Sequence, residues 1–239
     1  MIEIQHIFKD FGKFKVLKDI NLSLNGGECV ALIGPNGSGK TTLIKSVLGM
    51  VVPSAGIIKF DGENIQNKYS YRKEIGYMPQ IGQYPENMSI GQVLDMMKDI
   101  RKMPEDQLDL DLYHAFNLPA LLDKRMGTLS GGTRQKVSAC LAFLFNPKAL
   151  ILDEPTAGLD PLSSEILKSK IQKVMNENKL IIISSHVLSD LDDLVSQIIY
   201  LQEGKLMFHK SLQQLKIDTG TDKLSKAIAQ VMSVPNQTK

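Results

Sequence analysis

Residues Gly34 to Thr42 read GPNGSGKTT, and the rest of the chain can be placed from them. The stretch fits the pattern GxxxxGK[ST] and follows the apolar run Cys29-Val30-Ala31-Leu32-Ile33, the strand context in which that pattern marks a phosphate-binding loop. A loop that lays its backbone against phosphate oxygens has little room for side chains and uses strained dihedrals. Gly34, Gly37 and Gly39 meet both needs. Lys40 supplies a point charge for β and γ phosphates and Thr41 a hydroxyl for magnesium. The helix expected to start near Lys40 presents its first N–H groups to the anion.

The totals bound what surrounds this loop. A chain of 239 residues, 43% hydrophobic and 23% charged, suits one large α/β domain or a core with a subdomain. A formal charge of +2 without a block of lysines or arginines gives no nucleic-acid footprint, and no nucleic-acid partner is expected. Cys29 and Cys140 both lie in apolar stretches, which fits buried thiols in a reducing cytosol better than a disulfide or metal site. The start MIEIQHIF lacks the basic and apolar segments of a signal peptide. Apolar runs such as Leu180 to Ile183 are far too short to span a bilayer, so any membrane role must be borrowed from a partner.

Along the chain, residues 2 to 8 and 16 to 24 alternate apolar and polar, predicting two antiparallel strands joined around Gly12, with Phe11 at the turn. A flat ring there can pack unremarkably or stack on a base. A second hairpin spans Gly56 to Phe60 with Asp61-Gly62 as its turn, and the strand Ile75 to Met78 ends at Pro79-Gln80. From Ile81 to about Arg125 short helices are expected, read as a helical subdomain inserted into the core. Ser89 caps a segment whose Ile90, Val93, Leu94, Met97 and Ile100 share one face, and Pro104 opens a second with Leu108, Leu112 and Phe116. The methionines at helical spacing here (Met88, Met96, Met97, Met103) read as core filler, and Glu105, Asp106, Asp109 and Asp111 as a solvated helix face.

Ser130 is placed to cap a helix from Thr133 to Phe145. With Gly131 and Gly132 it forms a second candidate anion site, although a plain capped helix is an equally good reading of that segment alone. The run Ala149-Leu150-Ile151-Leu152 predicts a buried parallel strand that delivers Asp153 and Glu154 at its C-terminal end, where open α/β sheets bind ligands. Asp153 is assigned to magnesium through water, and Glu154 to orienting or deprotonating an attacking water. Pro161 begins a long helix after the loop Ala157 to Asp160, and Leu180 to Ser184 carries Ser185 and His186 to the same edge. A helix from Val187 to Leu194, strands near Gln197 to Leu201 and Lys205 to His209, and a polar tail with a weak helix around Leu224 to Met232 complete the reading.

With these residues in place, the chain resembles the nucleotide-binding subunits of ABC transporters over essentially residues 1 to 210. Phe11 matches the adenine-stacking aromatic, Gly34 to Thr41 the Walker A motif and Gln80 the Q-loop glutamine. Leu129 to Gly132 match the signature sequence, Leu150 to Glu154 Walker B with the catalytic glutamate, Asp160 the D-loop aspartate and His186 the switch histidine. One departure is Thr133, where the family most often has glutamine.

The resemblance implies a P-loop NTPase core of the RecA-like type, with a mainly parallel sheet, an N-terminal antiparallel β subdomain and an inserted α-helical subdomain. The expected organisation is an ATPase domain over 1–210, with core segments 1–80 and 146–210 and a helical subdomain over 81–145, followed by a short tail over 211–239. ATP is implied as ligand, touching Phe11, Gly34, Pro35, Asn36, Gly37, Ser38, Gly39, Lys40, Thr41 and Thr42 of one copy and Ser130, Gly131, Gly132 and Asp160 of another. Mg2+ is implied at Thr41, Gln80 and Asp153, and catalysis at Glu154, His186, Gln80 and Lys40. The implied assembly is a head-to-tail homodimer or pseudo-dimer serving a multi-span permease, cytoplasmic and peripheral on the inner face of the membrane. The stretch YMPQIGQYPENMSIGQVL and the brief tail look like ATPases of two-gene bacterial exporters or permeases, and more narrowly like the ATPase of the copper-processing system that matures nitrous-oxide reductase. Nothing in the residues themselves selects copper. The alternative class is a soluble ABC ATPase acting on DNA or ribosomes, whose members usually carry long coiled coils or two fused cassettes. Neither feature is present in this sequence.

Overall fold

The computed structural model describes residues 1–185 and 187–233, which divide into two compact units, one from residues 1–67 with 184–239 and the other from 68–183. In the first unit β1 (Ile2–Phe11) and β2 (Phe14–Leu24) form the expected antiparallel pair. Ile2, Ile4 and Ile7 are buried opposite Leu24, Leu22 and Ile20, so alternation has become a packed face. Both strands run closer to the turn than the sequence pattern implies, and Phe11 pairs with Phe14 across it. All five residues of β3 (Cys29–Ile33) are buried, as a near-continuous apolar run requires, and the strand feeds α1 (Lys40–Val47). The edge of the antiparallel sheet is completed by β4 (Ala55–Phe60) and β5 (Glu63–Asn64), in the order β2-β1-β4-β5.

The second unit opens with β6 (Ile75–Met78), and α2 (Ile90–Arg101) follows behind a capping box in which Ser89 and Gln92 satisfy each other's backbone N–H groups. Ile90, Val93 and Leu94 are buried, but Met97 is half-exposed and Ile100 is 66% exposed, so the helix leaves the core in its last turn. The methionines differ from their reading as filler. Met88, Met96, Met97 and Met103 are all half-buried, and Met88 and Met96 line an open cleft of about 520 Å3 on the outer side of α2.

The segment opened by Pro104 is not one helix. It is a single turn at Glu105–Gln107 followed by α3 (Asp111–Ala115), because the Asp109 carboxylate accepts the Asp111 N–H (3.2 Å) and the Asp109 N–H is taken by the Leu144 carbonyl. Next come α4 (Gly131–Phe143), β7 (Ala149–Asp153), α5 (Pro161–Met175) and β8 (Leu180–Ser184). β6 and β7 run parallel, with Tyr77 level with Ile151 and Met78 level with Leu152. Gly76 lets α4 lie close against β6, since a Cβ there would overlap the Ala142 carbonyl oxygen.

Back in the first unit, the helix expected over Val187 to Leu194 is reduced to one turn at Leu188–Asp190. The Ser185 hydroxyl accepts the Val187 N–H (3.0 Å) and donates to the Val187 carbonyl (3.2 Å), closing a local loop in place of a first helical turn. β9 (Gln197–Gln202) lies parallel to β3 and antiparallel to β10 (Lys205–Ser211), after which α6 (Leu212–Thr219) and α7 (Leu224–Ser233) end the described chain. The tail helix is firmly seated. Leu224, Ala227 and Ile228 are buried, and the Asp192 carboxylate accepts the Leu224 N–H (2.9 Å).

The acidic cluster is a further correction. The Lys170 ammonium on α5, buried, binds the Asp109 carboxylate and lies 2.9 Å from Asp111, while Lys173 lies 2.7 Å from Asp111. These pairs tie α3 to α5, and Lys173, then Lys170, pulls the Asp111 carboxyl down to about 2. Lys170→Met leaves two carboxylates without their shared cation and is expected to cost about 3 kcal/mol in urea unfolding at pH 7. Asp111→Asn is expected to destabilise at neutral pH, with a deficit present above the ordinary value of 3.8 and fading as pH falls towards about 2, where the wild-type carboxyl takes up its proton.

Candidate functional site

Of the residues marked out by sequence, Phe11 and Gly34 to Thr42 belong to the first unit, and Gln80, Ser130 to Gly132, Asp153, Glu154 and Asp160 to the second. His186 lies outside the described residues. In the first unit β3 turns at Gly34 into α1, whose N-cap, Gly39, has φ 104°, a left-handed conformation that glycine takes without strain. A Cβ on Gly34 would overlap the Leu201 carbonyl oxygen, and one on Gly39 would sit 2.8 Å from the Leu17 side chain, so the loop is packed from behind and open in front. Pro35, Asn36 and Gly37 are exposed.

Lys40 Nζ donates to the carbonyls of Gly34 (2.6 Å) and Pro35 (3.2 Å), folding the ammonium over the loop. Ser38 Oγ is buried with no hydrogen-bond partner among the described residues, which leaves an acceptor or donor to be satisfied by a ligand. Backbone N–H groups of a helix start, an ammonium and an orphaned hydroxyl are a donor set for phosphate. Phe11 is 49% exposed at the end of β1, and Lys9 Nζ lies 4.8 Å from the centre of its ring. This cation over the ring was not legible from the sequence, where Lys9 is one of several lysines near the turn.

In the second unit the parallel register ends with Met78 beside Leu152, and Gln80 and Glu154 each follow two residues later. Gln80 Nε2 donates to Glu154 Oε2 at 3.0 Å. Glu154 has φ 51°, a left-handed backbone rare for a residue with a side chain, held in place by its surroundings. Its carbonyl accepts the Ala157 N–H (3.1 Å) and Gln135 Nε2 (3.4 Å). Gln135, a buried polar residue on α4, had not been singled out, and its signal was a glutamine on the apolar face that carries Ala139 and Ala142.

The start of α4 is built as the sequence proposed, beginning two residues earlier. Ser130 caps it, accepting the Thr133 N–H at 3.2 Å, and Gly131 and Gly132 form the first turn. A Cβ on Gly132 would lie 2.7 Å from the Gly158 carbonyl oxygen, so α4 meets the loop after Glu154 backbone to backbone. Asp160 caps α5, accepting from Ser163 N (2.9 Å) and Ser163 Oγ (2.7 Å), and pairs with Lys136 of α4 at 2.9 Å. Lys136 first, then Ser163, holds its carboxyl well below the usual carboxylate range. α4 thus connects Ser130, Glu154 and Asp160 within one frame.

Among the described residues no three His, Cys, Asp or Glu side chains cluster as a metal cage. Magnesium takes one or two protein oxygens and fills its octahedron with water and phosphate oxygens, and Thr41 and Asp153 carry oxygen donors of that hard type.

Residues 17–157 match the sequence profile of the family described as ABC transporter. The chain is 33% identical to a lantibiotic transport ATP-binding protein of Streptococcus pyogenes over 88% of its own length and 90% of that protein. It superposes on a solved ATP-binding subunit of an ABC transporter with a TM-score of 0.91 and 26% identity, covering 98% of this chain and 100% of that one. A dimeric bacterial ABC transporter cassette is similar in fold, with a TM-score of 0.79 and 22% identity over 89% of this chain and 99% of that one.

Removing the ammonium from the loop should remove its main positive charge. Lys40→Ala is expected to weaken binding of Mg-ATP at least ~10-fold in a fluorescent-nucleotide titration, the scale of a lost charge-assisted contact. Undiminished affinity would take the phosphate role from Lys40.

Proposed function

We infer the working cycle from one premise: the chain belongs to the ABC transporter family, as an ATP-hydrolysing cassette. Two copies pair head to tail around two ATP molecules. In each site the phosphate loop of one copy holds the phosphates through Lys40, the backbone of Gly34 to Thr42 and Ser38 Oγ, while Phe11 stacks on adenine. The other copy closes the site with Ser130 Oγ and the first N–H groups of α4. Two helix N-termini with glycine at the approach converge on one polyanion, and ATP is therefore the glue between copies. The solved dimeric cassette of similar fold supports this pairing.

The observation that carries the chemistry is the contact of Gln80 with Glu154 at the ends of two parallel strands. Glu154 accepts a proton from the attacking water as oxygen bonds to the γ phosphorus, and ADP leaves with the bridging oxygen. Gln80 Nε2 donates to Glu154 at 3.0 Å, and its Oε1 would be the atom offered to a metal or to the water. Thr41, Gln80 and Asp153 are the residues that would hold magnesium, which would supply charge stabilisation to the phosphate oxygens. His186 is assigned to the γ-phosphate side of the same site. Asp160, fixed by Lys136 and Ser163, keeps the loop after Glu154 in register with α4.

Loss of the γ phosphate removes the shared anion, and the copies part. This alternation drives a separate multi-span permease, which docks on the cleft beside α2 lined by Asn87, Met88, Gln92, Asp95 and Met96. The cassette is held at the inner membrane face through that partner; among the described residues no helix is long and apolar enough to cross a membrane. Cargo is read by the permease, and the Streptococcus pyogenes relative, named for lantibiotic transport, favours an exporter. Copper processing is carried only by the resemblance of the single short cassette, the Tyr77 to Leu94 stretch and the brief tail.

Glu154→Gln keeps the shape of the site and removes the base. It is expected to bind Mg-ATP like the wild type and to lose about 10²- to 10⁴-fold in phosphate release. Normal turnover by that variant would place the base elsewhere.

A further inference from the structure

We propose that Thr133 is a positioning residue for the contact between copies: its hydroxyl donates to Ser130 Oγ and so commits the Ser130 O–H, as donor, to the phosphate held by the partner copy. The proposal rests on the head-to-tail pairing inferred above and gives a role to a residue left unassigned there.

The geometry is local to the start of α4. Ser130 is exposed, and its Oγ accepts the Thr133 N–H at 3.2 Å. Thr133 Oγ1 lies 2.9 Å from the same oxygen, and Thr133 is half-buried against its helix. A serine hydroxyl has one proton and two lone pairs. The backbone N–H takes one lone pair, so the contact with Thr133 uses either the second lone pair or the only proton.

The two arrangements differ in what they offer outward. If Ser130 donates to Thr133, its proton is consumed inside the chain and a lone pair faces the approaching anion. If Thr133 donates, both lone pairs of Ser130 are filled and its proton alone points away from the helix. A phosphate brings only acceptors, so its approach selects the second arrangement. The N–H groups of Gly131 and Gly132, at the first two helical positions, lack intrahelical acceptors and complete a set of three donors. Gly132 is held against the Gly158 carbonyl, which fixes where that set stands on its own chain.

Threonine in a helix divides between two χ1 rotamers, one of which turns its hydroxyl back to a preceding carbonyl. Here the hydroxyl meets Ser130 instead. Valine at this position keeps the branched shape and the backbone N–H that Ser130 caps, and removes only the donor. Serine keeps the donor and loses the methyl group.

The test uses the full chain carrying Glu154→Gln, so that ATP is not consumed, and reads the Mg-ATP concentration that half-saturates dimer formation in sedimentation. Adding Thr133→Val is expected to raise that concentration about 3- to 10-fold, the range one neutral hydrogen bond is worth. Adding Thr133→Ser is expected to restore the parent value, Ser130→Ala to shift it at least as far as Thr133→Val, and the double change Ser130→Ala with Thr133→Val to shift it no further than Ser130→Ala alone. A general weakening of α4 would instead be worsened by Thr133→Ser and would add to Ser130→Ala. The proposal is overturned, with the pairing intact, if Thr133→Val matches the parent while Ser130→Ala is shifted, or if the two shifts add. If Ser130→Ala has no effect, or the parent never dimerises, the anion site of α4 or the pairing fails and the role of Thr133 goes with it.

Discussion

A triphosphate taken out of bulk water has to exchange its hydration for fixed donors, and the backbone N–H groups at the start of a helix are donors that need no side chain to hold them. The chain builds two such starts. At α1, Gly39 is the N-cap and Lys40 folds over the loop; at α4, Ser130 is the cap and Gly131 and Gly132 the first turn. The rest of the site follows from keeping these two helix starts accessible and rigid. Glycine is needed at Gly34 because the Leu201 carbonyl stands behind it, and at Gly132 because the Gly158 carbonyl does. In both places the supporting wall is backbone, which does not move aside for a side chain.

The same economy links chemistry to assembly through α4. Its first residues face outward, its fifth, Gln135, reaches the Glu154 carbonyl, and its sixth, Lys136, holds Asp160. A displacement at the helix start is therefore felt at Glu154 and at the cap of α5 through direct bonds. Glu154 is kept in a left-handed backbone by this frame, so its carboxylate points to Gln80 at a modest local cost of about 1–2 kcal/mol. Lys136 and Ser163 both favour the charged form of Asp160 and lower its pKa.

Elements whose cause is local could be read from the sequence. The buried strands β3, β7 and β8 are unbroken apolar runs, Ser89 and Ser130 are caps with the expected partners, and Gly34 to Thr42 needs only its own spacing and the strand before it. What escaped depends on pairings distant in the chain. Lys170 meets Asp109 and Asp111 across about sixty residues, and no pattern around 109–111 distinguishes a clamped carboxylate from a solvated one. Gln80 and Glu154 were each placed at a strand end, but their contact required the β6–β7 register. The segments after Pro104 and Val187 carry helical spacing and are broken by side chains, Asp109 and Ser185, that bind nearby backbone more favourably than a further turn would. The apolar stripe on α2 points to a core over its whole length, whereas Met96 and Ile100 border a cleft.

In the proposed cycle ATP is a glue because the loop of one copy and the α4 start of another share it, and this arrangement can be read directly by chemistry. In a Glu154→Gln background, one chain carrying Asn36→Cys is mixed with a second carrying Ser130→Cys, and the mixture is oxidised with and without Mg-ATP; the native Cys29 and Cys140 are buried. The expected result is a disulfide-linked pair joining one chain of each kind, formed only when nucleotide is present. Links that form equally without nucleotide, or no mixed pair at saturating Mg-ATP, would contradict the shared site.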